Sequence, residues 1–174
     1  GPRDDYVAFC ADQPAHSICT QFDPSATQYD LSDPRVKAAL PMSPAAYTLS
    51  VAGLASVEVP VLILTGMLDE STPYQTVVRP IYDALSPPKA LWTLANGDHF
   101  TFSDLCTVYD LLPADQQAMF GQACSADNPL PLEEAHTLIR AIALAFFDQA
   151  LKDRVDDAGL LESTSGDEVT LIRE

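Results

Sequence analysis

The distribution of apolar residues along the chain predicts three buried strands, over 59–65, 89–95 and 35–40. The first is the clearest, because it is a continuous β-branched and aliphatic run that is closed by Gly66. Such a run is typical of a strand that is buried on both faces. The third is a short apolar segment that ends at Pro41.

Helical periodicity dominates much of the remaining chain. The strongest signal lies over 131–152, where large apolar side chains recur at three- and four-residue steps. The same spacing predicts a helix over 74–85, which Pro80 should shorten or kink. Shorter helices are predicted over 3–10, 49–55, 102–111 and 114–122, and the turn-rich stretch 11–33 is predicted to be a loop.

Strands and helices alternate along the middle of the chain, and this order predicts an α/β fold with parallel strands. We expect one partial domain over 1–174: a helix end and loop over 1–33, a strand–helix core over 34–152 and an acidic tail over 153–174. Alternating residues around Val169 predict one edge strand within the tail. Three confident strands would leave long exposed edges, so we expect another segment to complete the sheet.

Composition and charge narrow the range of functions. The chain has 174 residues, of which 47% are hydrophobic, which is enough to form a core and excludes a disordered tail. Lys and Arg number 9 against 25 Asp and Glu, giving a net charge of -16. Such a surface repels phosphate backbones and anionic lipids, so we expect no nucleic-acid partner. No apolar stretch reaches the roughly 18 residues that a membrane helix needs, so we expect no membrane span.

The cysteines bear on the cellular compartment. Four cysteines allow three pairings, and here they fall into two local pairs, Cys10 with Cys19 and Cys106 with Cys124. None has the C-x-x-C spacing of a zinc site. We favour two disulfides in a secreted or periplasmic protein. The alternative is four partly buried free thiols in a cytosolic protein.

Candidate catalytic side chains follow two of the predicted strands. The strand over 59–65 leads through Gly66 to Asp69, and the strand over 89–95 leads to His99. Because ligands and catalytic groups of open α/β sheets collect at the carboxyl ends of strands, we expect these two side chains to meet. A carboxylate bonded to an imidazole fixes its tautomer and stabilises the imidazolium that forms during catalysis. Asp69 is therefore the predicted triad acid and His99 the predicted general base.

These segments resemble the C-terminal half of an α/β-hydrolase, close to dienelactone hydrolases, platelet-activating-factor acetylhydrolases and bacterial polyester hydrolases. In those families one strand leads to G-x-x-D-x-x-x-P, and the next leads to a histidine followed by Phe or a similar residue. The matching residues are Gly66, Asp69, Pro73, His99 and Phe100. The segment 33–40 also resembles the strand that follows the nucleophile helix. The resemblance covers roughly residues 30–150, and it implies a serine esterase with no metal or organic cofactor.

One motif of these families is absent from the sequence. Their nucleophile lies before the acid, in G-x-S-x-G at a sharp strand-to-helix turn. No serine or cysteine here has those flanking glycines, and Ser43, Ser50 and Ser71 all lack them. The helix over 3–10 resembles the last turns of the helix after that motif. We therefore expect the nucleophile serine and the oxyanion-hole N–H groups on an N-terminal half of the same hydrolase, upstream of this chain.

Other titratable residues are weaker candidates for the site. Glu70 is the fallback acid, next to Asp69 in the sequence. Asp98 is expected to be a turn residue, because the side chains of adjacent residues diverge. His16 and His136 are expected to be a surface histidine and a satisfied or solvated one, respectively.

Aromatic and acidic groups complete the set of candidates. Phe100, Phe102 and Trp92 either line an acyl pocket or, as we favour, pack in the core. The acidic pairs at 156–157 and 167–168 lack the spaced ligands and glycine of a calcium loop, so we expect a solvated surface there.

Two functions from different classes fit these observations. The first is the C-terminal segment of a serine carboxylic-ester hydrolase, acting on a small or polymeric ester and supplying Asp69 and His99. The alternative is a non-catalytic hydrolase-like module, whose acidic surface and sheet edge bind a basic or strand-donating partner. Ester hydrolysis by the assembled protein distinguishes the two.

Overall fold

The structure is a computed structural model of the 174-residue chain. It describes residues 2–21, 32–45, 49–121, 124, 130–154, 159–162 and 169–174. Within these ranges no helix has both the length and the apolar character needed to cross a membrane.

A three-stranded sheet lies at the centre of the fold, in the order β1 (Val61–Gly66), β2 (Lys89–Leu94) and β3 (Val169–Arg173). β1 and β2 run parallel, and their register places Ile63 opposite Leu91. β3 pairs with β2 in the antiparallel direction. The strands predicted over 59–65 and 89–95 and the edge strand in the tail are therefore confirmed, and the first two form the expected parallel pair.

The predicted strand over 35–40 does not form as such. Instead, the chain makes two isolated parallel bridges with β1, between Ala39 and Val61 and between Met42 and Leu64. The physical reason lies in Pro41, which has no N–H to donate to a regular ladder. We call residues 39–42 the bridging segment, and it lies along the side of β1 that faces away from β2.

Helices and turns fill the intervals between the strands. The α-helices are α1 (Pro2–Asp12), α2 (Ser17–Gln21), α3 (Val51–Ala55), α4 (Arg79–Ala84), α5 (Ala114–Phe120) and α6 (Leu132–Lys152). A single π-helical turn, Tyr74–Val78, precedes α4, which places Pro80 in the first turn of α4 and explains why the predicted helix is divided. α2 corrects part of the loop that was predicted over 11–33.

The helix predicted over 102–111 is also wrong. The chain forms three short 3-10 turns there, Phe100–Phe102, Leu105–Thr107 and Tyr109–Leu111. Side chains in this stretch bond the local backbone, as when Ser103 Oγ donates to the Phe100 carbonyl and Thr107 Oγ1 donates to the Asp104 carbonyl. Such bonds compete with a continuous helix.

The hydrophobic core has two parts, one on each face of the sheet. On one face, alternate strand residues pack against the long helix α6 (Leu62, Leu64, Trp92, Leu94, Ile139, Ile142 and Phe146). On the other face, the intervening strand residues pack against the π-helical turn and α4 (Val61, Ile63, Leu91, Val78, Ile81 and Tyr82). All six residues of β1 are buried, as its continuous apolar sequence predicts. The result is a mixed α/β fold with helices on both faces of the sheet.

A pair of glycines joins the loops that follow β1 and β2. A Cβ added at Gly66 would overlap the carbonyl oxygen of Gly97, so the two backbones lie in direct contact. The N–H of Leu68 donates to the same carbonyl at 2.9 Å, and the N–H of Met67 donates to the Leu94 carbonyl at 2.9 Å. The absence of side chains at Gly66 and Gly97 therefore sets how closely the two strand ends approach.

We expect Gly66→Ala to destabilise the protein by about 2 kcal/mol or more, because the new methyl group meets fixed backbone rather than a movable side chain. Gly53→Ala is the matched control, since its Cβ would lie 3.2 Å from the end of the exposed Ser50 side chain. Its effect should stay within about 1 kcal/mol. Urea unfolding of both variants checks this, and equal stabilities would contradict the proposed close contact.

Candidate active site

The loop after β1 folds around the side chain of Asp69. Asp69 Oδ1 accepts hydrogen bonds from the N–H of Ser71 at 2.8 Å and the N–H of Thr72 at 2.7 Å. These bonds form the local turn for which a short carboxylate side chain is well suited. The turn directs the second carboxylate oxygen, Oδ2, toward the loop after β2.

Two further donors complete the surroundings of the carboxylate. Asp69 Oδ2 accepts from Thr72 Oγ1 at 2.8 Å and lies 2.9 Å from His99 Nδ1. The Asp69 side chain is fully buried. A carboxylate has about four acceptor positions, and all of them are occupied here.

The pKa of Asp69 reflects a balance between burial and these hydrogen bonds. Burial alone would raise the pKa of the carboxyl, because it disfavours the charged form. The hydrogen bonds from the Thr72 N–H, from His99 and from the Thr72 hydroxyl outweigh it and hold the pKa below its ordinary value. Asp69 is therefore a carboxylate at neutral pH and only accepts hydrogen bonds.

This charge state settles the tautomer of His99. Since Asp69 Oδ2 only accepts, Nδ1 of the imidazole must carry the proton in their 2.9 Å bond. The lone pair of neutral His99 is then on Nε2, which makes no hydrogen bond with any described residue. The His99 side chain is 33% exposed. The geometry suits proton abstraction by Nε2.

The loop that carries His99 is stabilised by hydrogen bonds within the loop and by a contact with α6. Asp98 Oδ1 accepts from the N–H groups of Phe100 and Thr101, each at 2.9 Å. His136 of α6 lies with Nε2 at 3.1 Å from the Thr101 carbonyl. Asp98 is thus a turn residue and His136 a satisfied histidine, as the sequence predicts, and both hold the segment next to His99.

The other sequence candidates lie apart from the Asp69–His99 pair. Glu70 is exposed and makes no hydrogen bond with Asp69 or His99 in the described structure. Trp92 is buried in the core and Phe102 packs against it, which confirms the prediction for those two. Phe100 is the exception, because its ring packs edge-to-face against His99, with centroids 5.4 Å apart, and against Phe120, with centroids 5.2 Å apart.

His16 and the two acidic pairs were the remaining candidates from the sequence. His16 packs against the ring of Phe9, at a centroid distance of 5.1 Å. The acidic pairs at 156–157 and 167–168 lie outside the described residues. Within the described ranges no group of three or more His, Cys, Asp or Glu side chains could hold a metal ion.

Two residues of the site were not singled out from the sequence. Thr72 bonds Asp69 Oδ2, and its position three residues after an aspartate is a turn signal that points to such a contact. Ser43 meets Thr72 from a segment 29 residues away, and its carbonyl oxygen lies 3.2 Å from Thr72 Oγ1. No local signal predicts that contact, because it depends on how the chain folds back beside β1.

Both predicted disulfides are present. Cys10 and Cys19 are bonded with Cα atoms 5.4 Å apart, and Cys106 and Cys124 are bonded with Cα atoms 5.1 Å apart. The second disulfide joins the segment after His99 to the residues that follow α5. Two disulfides fit an extracellular or periplasmic protein.

Comparison with known proteins supports the fold. The chain is similar to a solved structure of ferulic acid esterase from Streptomyces cinnamoneus, with a TM-score of 0.60 and 24% sequence identity. The match covers 81% of this chain and 41% of the esterase chain, so this chain spans about two fifths of the esterase's length. No family model matches the sequence, and no curated protein matches it. The mixed α/β fold is thus similar to the C-terminal part of an esterase fold.

We expect Asp69→Asn to lower the free energy of unfolding by about 1–3 kcal/mol at neutral pH, because it removes a carboxylate that accepts four hydrogen bonds. The folded-state pKa of Asp69 lies below the ordinary value of 3.8. The contribution of the carboxylate is therefore present above pH 3.8 and is lost as the pH falls through the lower folded-state value. Denaturant unfolding at a series of pH values measures this.

Glu70→Gln is the control for that series, because the Glu70 side chain is exposed and next in sequence. Its stability should follow the parent protein at every pH. A difference between the parent and Asp69→Asn that does not shrink in acid would contradict the account of the Asp69 carboxylate.

Proposed function

We propose that this chain is the C-terminal segment of a serine carboxylic-ester hydrolase. In this proposal Asp69 is the triad acid, His99 is the general base, and the nucleophile serine lies on an N-terminal segment of the same hydrolase. The observation that carries the proposal is the 2.9 Å contact between Asp69 Oδ2 and His99 Nδ1, with His99 Nε2 unbonded among the described residues. The similarity to part of an esterase fold supports the reaction class.

The reaction follows from the tautomer of His99. The serine Oγ attacks the ester carbonyl carbon while His99 Nε2 takes the hydroxyl proton. The buried Asp69 carboxylate stabilises the imidazolium that results. When the tetrahedral intermediate collapses, the bond to the leaving alcohol breaks and His99 returns the proton to the alcohol oxygen. Water then attacks the acyl-serine carbonyl while Nε2 takes its proton. When this second intermediate collapses, the bond to serine Oγ breaks, His99 returns the proton to Oγ, and the acid is released. These steps use no metal or organic cofactor.

The sequence supports a nucleophile on another segment. It has no G-x-S-x-G motif, the pattern that places a nucleophile serine on a sharp turn. Ser43 is near the pair, but it is buried and its N–H donates to the Leu64 carbonyl at 2.8 Å. Its hydroxyl is therefore not available to a bound ester. We propose that the oxyanion-hole N–H groups come from the same N-terminal segment as the serine.

The side of the bridging segment that faces away from β1 has backbone groups that could pair with a strand of the N-terminal segment. Ala39 and Pro41 direct their carbonyl oxygens to the N–H groups of Leu62 and Leu64 in β1, each at 3.0 Å. Because backbone groups alternate in direction along an extended chain, the polar groups of Leu40 point the other way. In the described structure they have no backbone partner. We propose that a strand of the N-terminal segment pairs with this edge.

Aromatic side chains supply an apolar wall next to the base. Phe100 and Phe120 pack edge-to-face beside His99, and neither belongs to the two core clusters. We propose that they contact an apolar part of the ester, either small or polymeric. The disulfide Cys106–Cys124 constrains the same stretch of chain, and we propose that the protein works in the secreted or periplasmic compartment.

We expect His99→Ala to lower the rate of p-nitrophenyl acetate hydrolysis by the native protein on the order of 10^4-fold or more, because the nucleophile loses its base. His16→Ala is the control, since that ring packs against Phe9 rather than in the site. Its activity should match the parent protein. Full hydrolysis by His99→Ala would contradict the proposed role of this residue.

We also expect the chain to need its N-terminal segment for activity. The chain alone should hydrolyse the ester no faster than buffer does, and addition of the segment with the proposed serine should restore hydrolysis and labelling by a fluorophosphonate probe. A segment whose serine is replaced by alanine is the control. No gain of activity on mixing would contradict the esterase proposal and favour a non-catalytic binding module.

A further inference from the structure

The hydroxyl of Thr72 lies where three parts of the fold meet. Its Oγ1 is 2.8 Å from Asp69 Oδ2, 3.4 Å from His99 Nδ1 and 3.2 Å from the carbonyl oxygen of Ser43. These neighbours follow β1, β2 and the bridging segment, respectively. Thr72 is only 3% exposed, so its hydroxyl forms its hydrogen bonds with these three groups and not with solvent.

The Thr72 hydroxyl has a single proton, so it can donate a full hydrogen bond to only one of the two acceptors that it faces. A threonine hydroxyl donates one hydrogen bond and accepts up to two. Asp69 Oδ2 and the Ser43 carbonyl both accept, and the carboxylate is nearer and charged, so the proton points to Asp69. His99 Nδ1 carries one hydrogen, which points to Asp69 Oδ2 at 2.9 Å, and Thr72 Oγ1 lies farther from the same nitrogen, at 3.4 Å. Thr72 thus contacts both members of the pair, and its longer distance to Nδ1 leaves the bond between them the stronger one.

Ser43 has a strained conformation that faces this hydroxyl. Its φ is 43°, in the left-handed region that residues other than glycine rarely adopt. Its hydroxyl is buried without a hydrogen-bond partner among the described residues, although it is near enough to Asp69 to help lower the pKa of that carboxyl. Both features are unfavourable, and such features persist where surrounding structure imposes them, often at functional sites. Here the outcome is a carbonyl aimed at Thr72.

We propose that Thr72 is a positioning residue for the Asp69–His99 pair, with the strained Ser43 carbonyl limiting the rotation of its hydroxyl. Thr72 holds Asp69 Oδ2 toward Nδ1 and so keeps the imidazole in the tautomer that leaves Nε2 free. The catalytic consequence rests on the proposed function, whereas the structural consequence does not. Nothing in the family pattern of acid and histidine motifs assigns this role to Thr72.

A matched pair of variants separates the hydroxyl from the shape of the side chain. Thr72→Val removes the hydroxyl and keeps a branched side chain, whereas Thr72→Ser keeps the hydroxyl and removes the methyl group. In Thr72→Val of the native protein we expect the pKa of Asp69 to rise and the fraction of His99 with the proton on Nδ1 to fall. Thr72→Ser should restore both values. Carbon-13 NMR of the Asp69 carboxyl and nitrogen-15 NMR of the His99 ring measure them.

The kinetic readout distinguishes positioning from a general loss of structure. We expect Thr72→Val to lower kcat on the order of tenfold, with KM changed less than about twofold, because the effect falls on proton transfer. Thr72→Ser should recover most of the parent kcat. A folded Thr72→Val variant with the parent values of kcat, Asp69 pKa and His99 tautomer would overturn the proposal.

Measurements on the parent protein keep the proposal testable if Thr72→Val fails to fold. The hydroxyl proton of Thr72 should exchange slowly with solvent and show a nuclear Overhauser contact with the His99 ring, and a rapidly exchanging proton would overturn the role. None of the NMR readouts requires an ester. The expected NMR changes in a protein that hydrolyses no ester would support positioning while contradicting the proposed function.

Discussion

The buried carboxylate of Asp69 is the constraint on which the site depends. A charged side chain with no exposure is costly unless every acceptor position is occupied, and here four donors occupy them. Two of these donors are backbone N–H groups of the turn itself, so the bonds that fold the loop also stabilise the charge. The charge in turn fixes which nitrogen of His99 carries the proton. The hydrogen bonds of one carboxylate therefore fold the loop after β1 and also determine the tautomer of His99.

The rest of the fold brings this carboxylate and imidazole together. β1 and β2 are adjacent and parallel, so the loops at their carboxyl ends lie at the same edge of the sheet. Gly66 and Gly97 let the two loops touch through their backbones. Cores on both faces of the sheet hold the strands in place, and His136 of α6 contacts the turn beyond His99. A long helix on one face thus supports the loop that carries His99 at the edge.

The sequence predicts the parts of this arrangement that depend on local pattern. β1 and β2 are evident from short apolar runs and α6 from a long helical periodicity, and the approach of Asp69 to His99 follows from their places after consecutive strands. The segment 35–40 fails as a strand because Pro41, directly after it, interrupts the ladder, a detail that apolar content does not report. The 3-10 turns after His99 arise from hydroxyl and carboxylate side chains that bond nearby backbone. Ser43 and its contact with Thr72 depend on tertiary folding, which no sequence window contains.

We propose that His99 Nε2 takes the proton of a nucleophile serine that lies on another segment of the protein. The most direct test is a crystal structure of the native protein after reaction with a fluorophosphonate. We expect a phosphonylated serine outside this chain, with its Oγ about 3 Å from His99 Nε2 and with the Asp69–His99 bond intact. A labelled residue distant from His99, or an imidazole whose Nε2 is turned away from the adduct, would contradict it.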